Sequence, residues 1–519
     1  MNLPPATPAR ARADAPGGTT ARARALTHRL VGSVWLWPAL LTVPLGLHRI
    51  STPELWRDEV SSWSAATRSL GQLFGMLGNV DASNGTYYLV LHFWTTLFGD
   101  SVPALRLPSV LAMAGAAAFT ALLAQRFFDS RVAGLAAGLL FAVVPNVSAF
   151  AQQARAYAMV TCAVAAGIWC LLRALERPTA GRWAWYGLCT ALAGALHLVS
   201  LSSLAGQLVV VAVAARRPGG RALWWQFPAA VAGAVLPLVP LMVLGRQQSG
   251  RQLDWITAPG PDRLWTFWPE LFDSRGVLYT FLALALAALL RPAGRSAALQ
   301  LVALAGLPVL GVWAVSQGGT SYFLDRYLLF TLPAWAALAG GGVGAVHSVL
   351  LRVLPGRPAA VLALALTAGP ALVGLPQQRE VRFVTAHTYN DFRGAAALVA
   401  AGYRTGDGIA APAGNEAWMM IGPAVGYYLP PPVRPTPLLI ERTPVQADDL
   451  FPVQCPVPAG CIGDETRAWI VTIGTGDNRD SPYLGLPTDQ ARALAAVFTP
   501  AEVRHLRGLT VSLLVRRHP

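Results

Sequence analysis

At 519 residues, 54% apolar and 13% charged, with a mean hydropathy of +0.45, the chain is too long and apolar for one soluble domain and too weakly charged for several. Its 49 Gly and 40 Pro follow no Gly-x-y period and form no polar low-complexity tract, which rules out collagen and wholesale disorder. The formal charge of +14 does not indicate nucleic acid: from residue 377 onward 13 Arg face 13 Asp plus Glu, so the excess lies among the apolar runs of the first 376 residues.

All 40 basic residues are Arg. Without Lys there can be no P-loop lysine, Schiff-base lysine or lysine nucleophile. Residues 1–30, rich in Arg, Ala and Pro, read as a disordered tail with no signal-peptide cleavage site. A hydrocarbon core of about 30 Å needs roughly 17–25 apolar residues per helix. On that basis spans are expected near 31–49, 103–125, 131–149, 156–174, 183–199, 200–215, 225–244, 277–291, 297–316, 326–346 and 357–375. The run 87–98 is too short to cross and reads as an amphipathic helix at the interface.

Charge tests this layout of eleven spans. With the N-terminus inside, the inside connections hold 17 Arg against three acids, and the outside connections before residue 377 hold ten of each. The expected protein is therefore multi-pass in the inner (cytoplasmic) membrane, with a cytoplasmic N-terminus. Its fold class is an all-α membrane domain (31–376, with a first outside loop at 50–102) followed by a small extracytoplasmic α/β domain (377–519).

In that last domain helices are expected at 390–401, 415–429 and 488–498, and strands at 408–412, 438–441, 468–473 and 509–515. It carries no dinucleotide, Walker or nucleophile-elbow motif, which suits acceptor docking or cover better than chemistry. Cys162, Cys170 and Cys189 fall inside spans as apolar filler. Cys455 and Cys461 bracket CPVPAGC, spaced for a disulfide outside the cytoplasm; a zinc site is the competing reading, with no His nearby.

Ionisable groups near the bilayer are costly and so informative. The first outside loop begins STPELWRDEVSSW, with Ser51 and Glu54 spaced as a capping box and Asp58-Glu59 on a helix whose Trp56, Val60 and Trp63 share one face. That helix could equally be an interfacial element with solvated charges. Asp81 precedes Tyr87 and Tyr88, and Arg106 follows in ALRLPS. The segment after the third span supplies Gln152, Arg155 and Tyr157; His197 ends the fifth; SYFLDRYLLFTLP adds Tyr322, Arg326 and Tyr327. All fall on the outer side. The connection RQQSGRQLDWITAPGPDRLW reads as a mobile cover.

In this order these features resemble the GT-C class of integral membrane glycosyltransferases. The similarity runs over nearly all of 31–376 and is to the branch of protein O-mannosyltransferases and lipid A aminoarabinose transferases, closest to actinobacterial polyprenyl-phosphate-mannose-type enzymes. Two features differ. The His-Pro-Pro or Lys-Pro-Pro of those branches is replaced by Asp81-Ala-Ser-Asn-Gly, which leaves the acceptor class open; Gln152-Gln153-Ala-Arg155 stands where a metal motif would be, so no divalent metal or other cofactor is expected.

The resemblance implies a polyprenyl-phosphate-sugar donor, mannose favoured, and an acceptor hydroxyl on a protein, lipid or glycan. It implies transfer with inversion, Asp58 as base and Glu59 orienting or replacing it. Donor phosphate would be bound by Arg326, Arg155 and Arg106, and substrate contacts would come from Asp81, Tyr87, Tyr88, Gln152, Tyr157, His197, Tyr322 and Tyr327. A lipid or sugar transporter is the rival class, but neither an internal repeat nor a charge pair within the spans supports it.

Overall fold

The computed structural model describes residues 33–474 and 482–517; the Arg-rich 1–30 tail lies outside them. The first apolar helix, α1 (Leu36–Leu47), leads into a loop of three short helices, α2 (Arg57–Ala66), α3 (Leu70–Asn79) and α4 (Gly85–Phe98). The bundle continues with α5 (Val102–Phe128), α6 (Arg131–Val143), α7 (Pro145–Ala151), α8 (Tyr157–Glu176) and α9 (Ala180–Leu196). Next come α10 (Ser203–Ala215), α11 (Leu223–Val235), α12 (Val239–Gln252), α13 (Arg263–Phe272) and α14 (Arg275–Leu290). The bundle closes with α15 (Arg295–Val315), α16 (Leu332–Leu350), α17 (Gly356–Val373) and the short α18 (Leu375–Glu380).

Each of the eleven expected spans coincides with helix. Among the described residues, seven helical segments are long and apolar enough to cross a bilayer, and nine if bent pairs count as one span. The bends have local causes. Pro145 lacks the N–H to continue α6, so α6 and α7 meet at 62°. Asp273, in the left-handed region (φ 51°), ends α13 before a 98° bend into α14. The remaining two expected spans, 31–49 and 183–199, contain helices of 12 residues, short of a crossing, and of 17 residues, at its lower limit.

The last domain begins with α19 (Phe392–Gly402) and continues through β1 (Gly408–Ala410), α20 (Ile421–Tyr428), β2 (Thr436–Pro437), β3 (Ile440–Arg442) and β4 (Val453–Gln454). It ends with β5 (Arg467–Ile473), α21 (Thr488–Val497), β6 (Phe498–Leu506) and β7 (Leu509–Arg516). The main sheet has the order β2-β1-β5-β7-β6, parallel on its first three strands and antiparallel on the rest. Central β5, almost wholly buried, reads as a continuous apolar run, as a strand covered on both faces should.

Two expectations here need correction. The strand expected at 438–441 is interrupted: Leu439 sits in the left-handed region (φ 66°), so β2 joins the main sheet while β3 pairs with β4 in a separate two-stranded sheet. Strand β6 was not expected. It is an exposed edge strand whose Pro500 and charged residues mask its alternation, and its register shifts between Pro500 and Glu502.

At the centre of the bundle, α16 packs so closely that glycines are required. A Cβ on Gly342 would lie 1.9 Å from the Leu284 carbonyl oxygen of α14. Gly306, on α15, faces open space. Gly342→Ala should therefore lower the stability of the solubilised protein by roughly 1–3 kcal/mol. Gly306→Ala should leave it unchanged or slightly higher, as scanned by thermal unfolding in detergent.

Candidate functional site

The site begins with two adjacent carboxylates in the first turn of α2, where acidic groups suit the helix dipole. Neighbours on a helix point about 100° apart, and these two part company. Glu59 turns into the protein and meets Arg106 of α5 in a bidentate pair, Nε to Oε1 at 2.8 Å and Nη2 to Oε2 at 2.7 Å, both side chains fully buried. Arg106 also donates to the carbonyls of Ile50 (2.7 Å), Pro53 (3.0 Å) and Glu54 (3.1 Å), and Glu59 Oε1 accepts from the Ala154 amide (2.8 Å).

His387, on the segment leading to the last domain, lies 3.5 Å from Glu59. Burial alone would push the Glu59 carboxyl up, but Arg106 and His387 outweigh it and hold it at about 2. Burial pushes the His387 imidazole down.

The capping box expected from Ser51 and Glu54 does not form, since α2 starts only at Arg57 with Trp56 preceding it. Glu54 instead accepts from the Arg393 amide (2.9 Å), and Tyr428 accepts from the Leu55 amide (3.0 Å), so the last domain clasps the loop. Burial raises the Glu54 carboxyl above its ordinary value.

Asp58 faces a cavity of about 560 Å³. Among the described residues its carboxylate pairs only with Arg57, at 3.5 Å. Asp81 lines the same cavity, but both of its oxygens are engaged: Oδ1 accepts from Asn84 Nδ2 (2.7 Å) and Oδ2 from the Tyr88 hydroxyl.

Four guanidinium groups join these two acids: Arg57, Arg155, Arg251 and Arg326. Arg251 is neutralised by Asp449 at 2.8 Å. Buried Arg155 makes longer contacts to the Asp58 carbonyl (3.3 Å), Ser62 (3.4 Å) and the Tyr88 hydroxyl (3.5 Å), and its Nε has no partner among the described residues. Burial opposes the Arg155 charge, yet Tyr157, Asp58, Tyr88 and Asp81 more than offset that, raising its pKa.

Arg326 stacks over Trp255 (5.4 Å), Tyr327 (5.7 Å) and Trp56 (5.8 Å), with its Nε likewise unpartnered. Behind it the rings of His197 and Tyr327 lie 4.5 Å apart. With three cations left after the Arg251 pair and two acids, the cavity favours an anion.

An apolar groove of about 520 Å³ adjoins the cavity, sharing His197, Leu253 and Tyr327, and runs between α12 and α15 past Met242 and Val312. Tyr322 lines this groove rather than the cavity. Of the residues expected at the site, Asp58, Asp81, Arg155, Tyr157, His197, Arg326 and Tyr327 line one cavity, and Tyr88 reaches it through Asp81 and Arg155.

Glu59, Arg106, Tyr87 and Gln152 do not line it. Gln152 is spent on the carbonyls of Gly46 (2.9 Å) and His48 (2.8 Å), and Tyr87 is fully buried in the core. Glu59 is thus unable to stand in for Asp58, and Arg106 is unable to reach a phosphate in the cavity. Arg57, Arg251, Trp255 and Trp418 were not expected there. The first three lie in segments that the sequence already marked; Trp418 arrives only because the last domain folds back, and Arg57 stacks on it at 5.0 Å.

The connection expected to be a mobile cover is partly helix α12 and is fastened down. Gln248 donates to the Leu77 carbonyl and accepts from the Ala82 amide, both at 2.9 Å, while Trp313 donates to Gly260 at 3.2 Å. It forms a wall. Cys455 and Cys461 are joined as a disulfide. No group of three or more His, Cys, Asp or Glu suited to a metal occurs among the described residues.

Residues 86–244 match the family described as dolichyl-phosphate-mannose-protein mannosyltransferase. Among solved structures the chain is similar to ArnT from Cupriavidus metallidurans bound to undecaprenyl phosphate, with a TM-score of 0.57 at 13% identity over 92% of this chain and 97% of that one. It is also similar to ArnT of the same organism in the apo state, with a TM-score of 0.54 at 13% identity over 96% and 98% of the two chains. No curated protein matches it in sequence. The fold expected of a GT-C membrane glycosyltransferase is the one these likenesses show, and the family match over residues 86–244 agrees with that class.

The Glu59–Arg106 pair makes a prediction about stability. Glu59→Gln leaves Arg106 buried without a counter-charge and should cost roughly 3–5 kcal/mol, whereas Asp58→Asn should change stability little. Because the folded carboxyl sits at about 2 against an ordinary 4.5, its contribution is complete above pH 4.5 and is lost as pH falls toward 2. Acid titrations of wild type and Glu59→Gln, followed by unfolding in detergent, should converge across that window.

Proposed function

We propose that this protein transfers a sugar, mannose in the first instance, from a polyprenyl-phosphate carrier to an acceptor hydroxyl at the outer face of the cytoplasmic membrane. The observation that carries the reading is the shared cavity. One carboxylate held only by a loose ion pair to Arg57, Asp58, faces several arginines in a hollow continuous with an apolar groove between helices. A lipid-linked sugar phosphate has the matching parts: an isoprenoid tail for the groove, a phosphate for the guanidinium groups and a sugar for the space before Asp58. The description of the matching family supports mannose. The undecaprenyl phosphate held by the similar ArnT supports a polyprenyl carrier.

The chemistry assigns different work to the two cavity acids. Asp81 already accepts from two donors and is a poor proton acceptor; Asp58 has a lone pair available. In the proposed step the acceptor oxygen attacks the anomeric carbon and gives its proton to Asp58. The bond from that carbon to the phosphate oxygen breaks, the anomeric configuration inverts, and the lipid monophosphate leaves.

That leaving group is good enough to need no strong acid. It needs positive charge as the phosphate gains its second negative charge, and Arg326 and Arg155 carry unsatisfied N–H groups for it. Tyr157, Tyr327 and His197 offer hydrogen bonds to the sugar or phosphate.

Sugar transfer from a purified polyprenyl-phosphate-mannose donor, with cell-envelope extract as acceptor source, tests the reading. Asp58→Asn should lower turnover by roughly 10²–10⁴-fold while keeping donor binding; near-normal turnover would remove Asp58 as the base. Arg326→Ala should weaken donor binding and lower turnover together, by about 10²–10³-fold in rate. Accessibility labelling that put positions 58 and 326 on opposite sides of the membrane would end the proposal.

A further inference from the structure

A second hollow, of about 480 Å³ and sharing no lining residue with the cavity of Asp58, opens where the end of α1 meets the end of α17 and the start of the last domain. Its apolar walls include Leu45 and Phe383, and its basic groups are His48, Arg49, Arg379 and Arg382. No carboxylate lines it among the described residues. None of its three arginines takes part in an ion pair there.

Arg382 is the informative group. It is only 5% exposed, and its guanidinium donates to neutral acceptors alone: the Leu45 carbonyl (2.7 Å), the Gln378 carbonyl, Gln378 Oε1 (2.8 Å) and Ser148 Oγ (3.5 Å). Its Nε has no partner among the described residues. A buried cation without a counter-charge at the end of two apolar helices is expensive. Arg49 and Arg379 stand exposed at the rim. Charge above and hydrocarbon below is the surface an anionic lipid presents in reverse; free phosphate would leave the apolar walls unused.

We infer that this hollow binds an anionic glycerophospholipid of the surrounding bilayer, its phosphate against Arg49, Arg379 and Arg382 and an acyl chain along Leu45 and Phe383. The bound lipid supplies the missing counter-charge and braces α1, whose last turn Arg382 holds through Leu45 and Gln152 holds through Gly46. The inference needs only a membrane-embedded protein and is independent of the reaction proposed above.

Native mass spectrometry of the full chain, released from detergent after incubation with lipids, tests it. Phosphatidylglycerol should be retained in preference to phosphatidylcholine. The double variant Arg49→Gln/Arg379→Gln should bind it on the order of thirtyfold more weakly, at about 1 kcal/mol per cation removed.

Arg382→Gln should lose the preference as well. If that variant does not fold, the double variant decides alone, since both of its positions are exposed. Equal retention of the two lipids, or unchanged binding by the double variant, would overturn the inference. So would a double variant that loses undecaprenyl phosphate while keeping phosphatidylglycerol, or inorganic phosphate binding as tightly as the lipid.

Discussion

Taking a carboxylate and a guanidinium wholly out of water costs several kcal/mol for each ion, and only near-complete mutual satisfaction repays it. The Glu59–Arg106 pair meets that condition. Five donors or acceptors surround it, drawn from the loop after α1, the segment after α7 and the approach to the last domain. Such a pair adds little net stability compared with an apolar replacement, but it tolerates only one arrangement of its neighbours. Its effect is therefore positional: it fixes the first turn of α2, and with it the direction in which the next carboxylate points.

That fixes the division between the two acids. Glu59 is consumed by its partners and held far down its titration, while Asp58, one residue earlier and about 100° around the helix, meets the cavity with a single loose ion pair. Asp81 is a third case, half-hidden and occupied by Asn84 and Tyr88. Three carboxylates close in space thus differ in availability because of their hydrogen bonds.

The fold was largely legible because membrane helices announce themselves by length and composition, and because Arg asymmetry disciplines their count. The shared location of Asp58, Arg155, His197 and Arg326 was legible from sidedness alone: four segments far apart in sequence end on the same leaflet and have little room to diverge. What could not be read was which polar groups face each other. Arg106 looks like any other arginine near the start of a membrane helix, and only the packed structure shows that Glu59 and three carbonyls claim it. Trp418 was invisible as a site residue for another reason, since its place depends on docking between domains rather than on local pattern. Edge strand β6 escaped notice because Pro500 and exposed charge are the features that keep an edge from pairing further.

The absence of Lys gives the site a particular character. An ammonium is compact and strongly hydrated, whereas a guanidinium can lie flat on an aromatic ring and still offer its edge to an anion. Arg57 and Arg326 both do so against Trp255, from two different elements, so one indole orients two cations. At a membrane surface this has a further consequence. The rings replace the water that would otherwise screen the charges, and the field in the cavity stays strong beside a groove made of hydrocarbon. A lipid phosphate entering from the bilayer can then exchange its hydration for fixed donors without leaving the apolar phase with its tail. Arginine on tryptophan lets one boundary accommodate both halves of such a molecule.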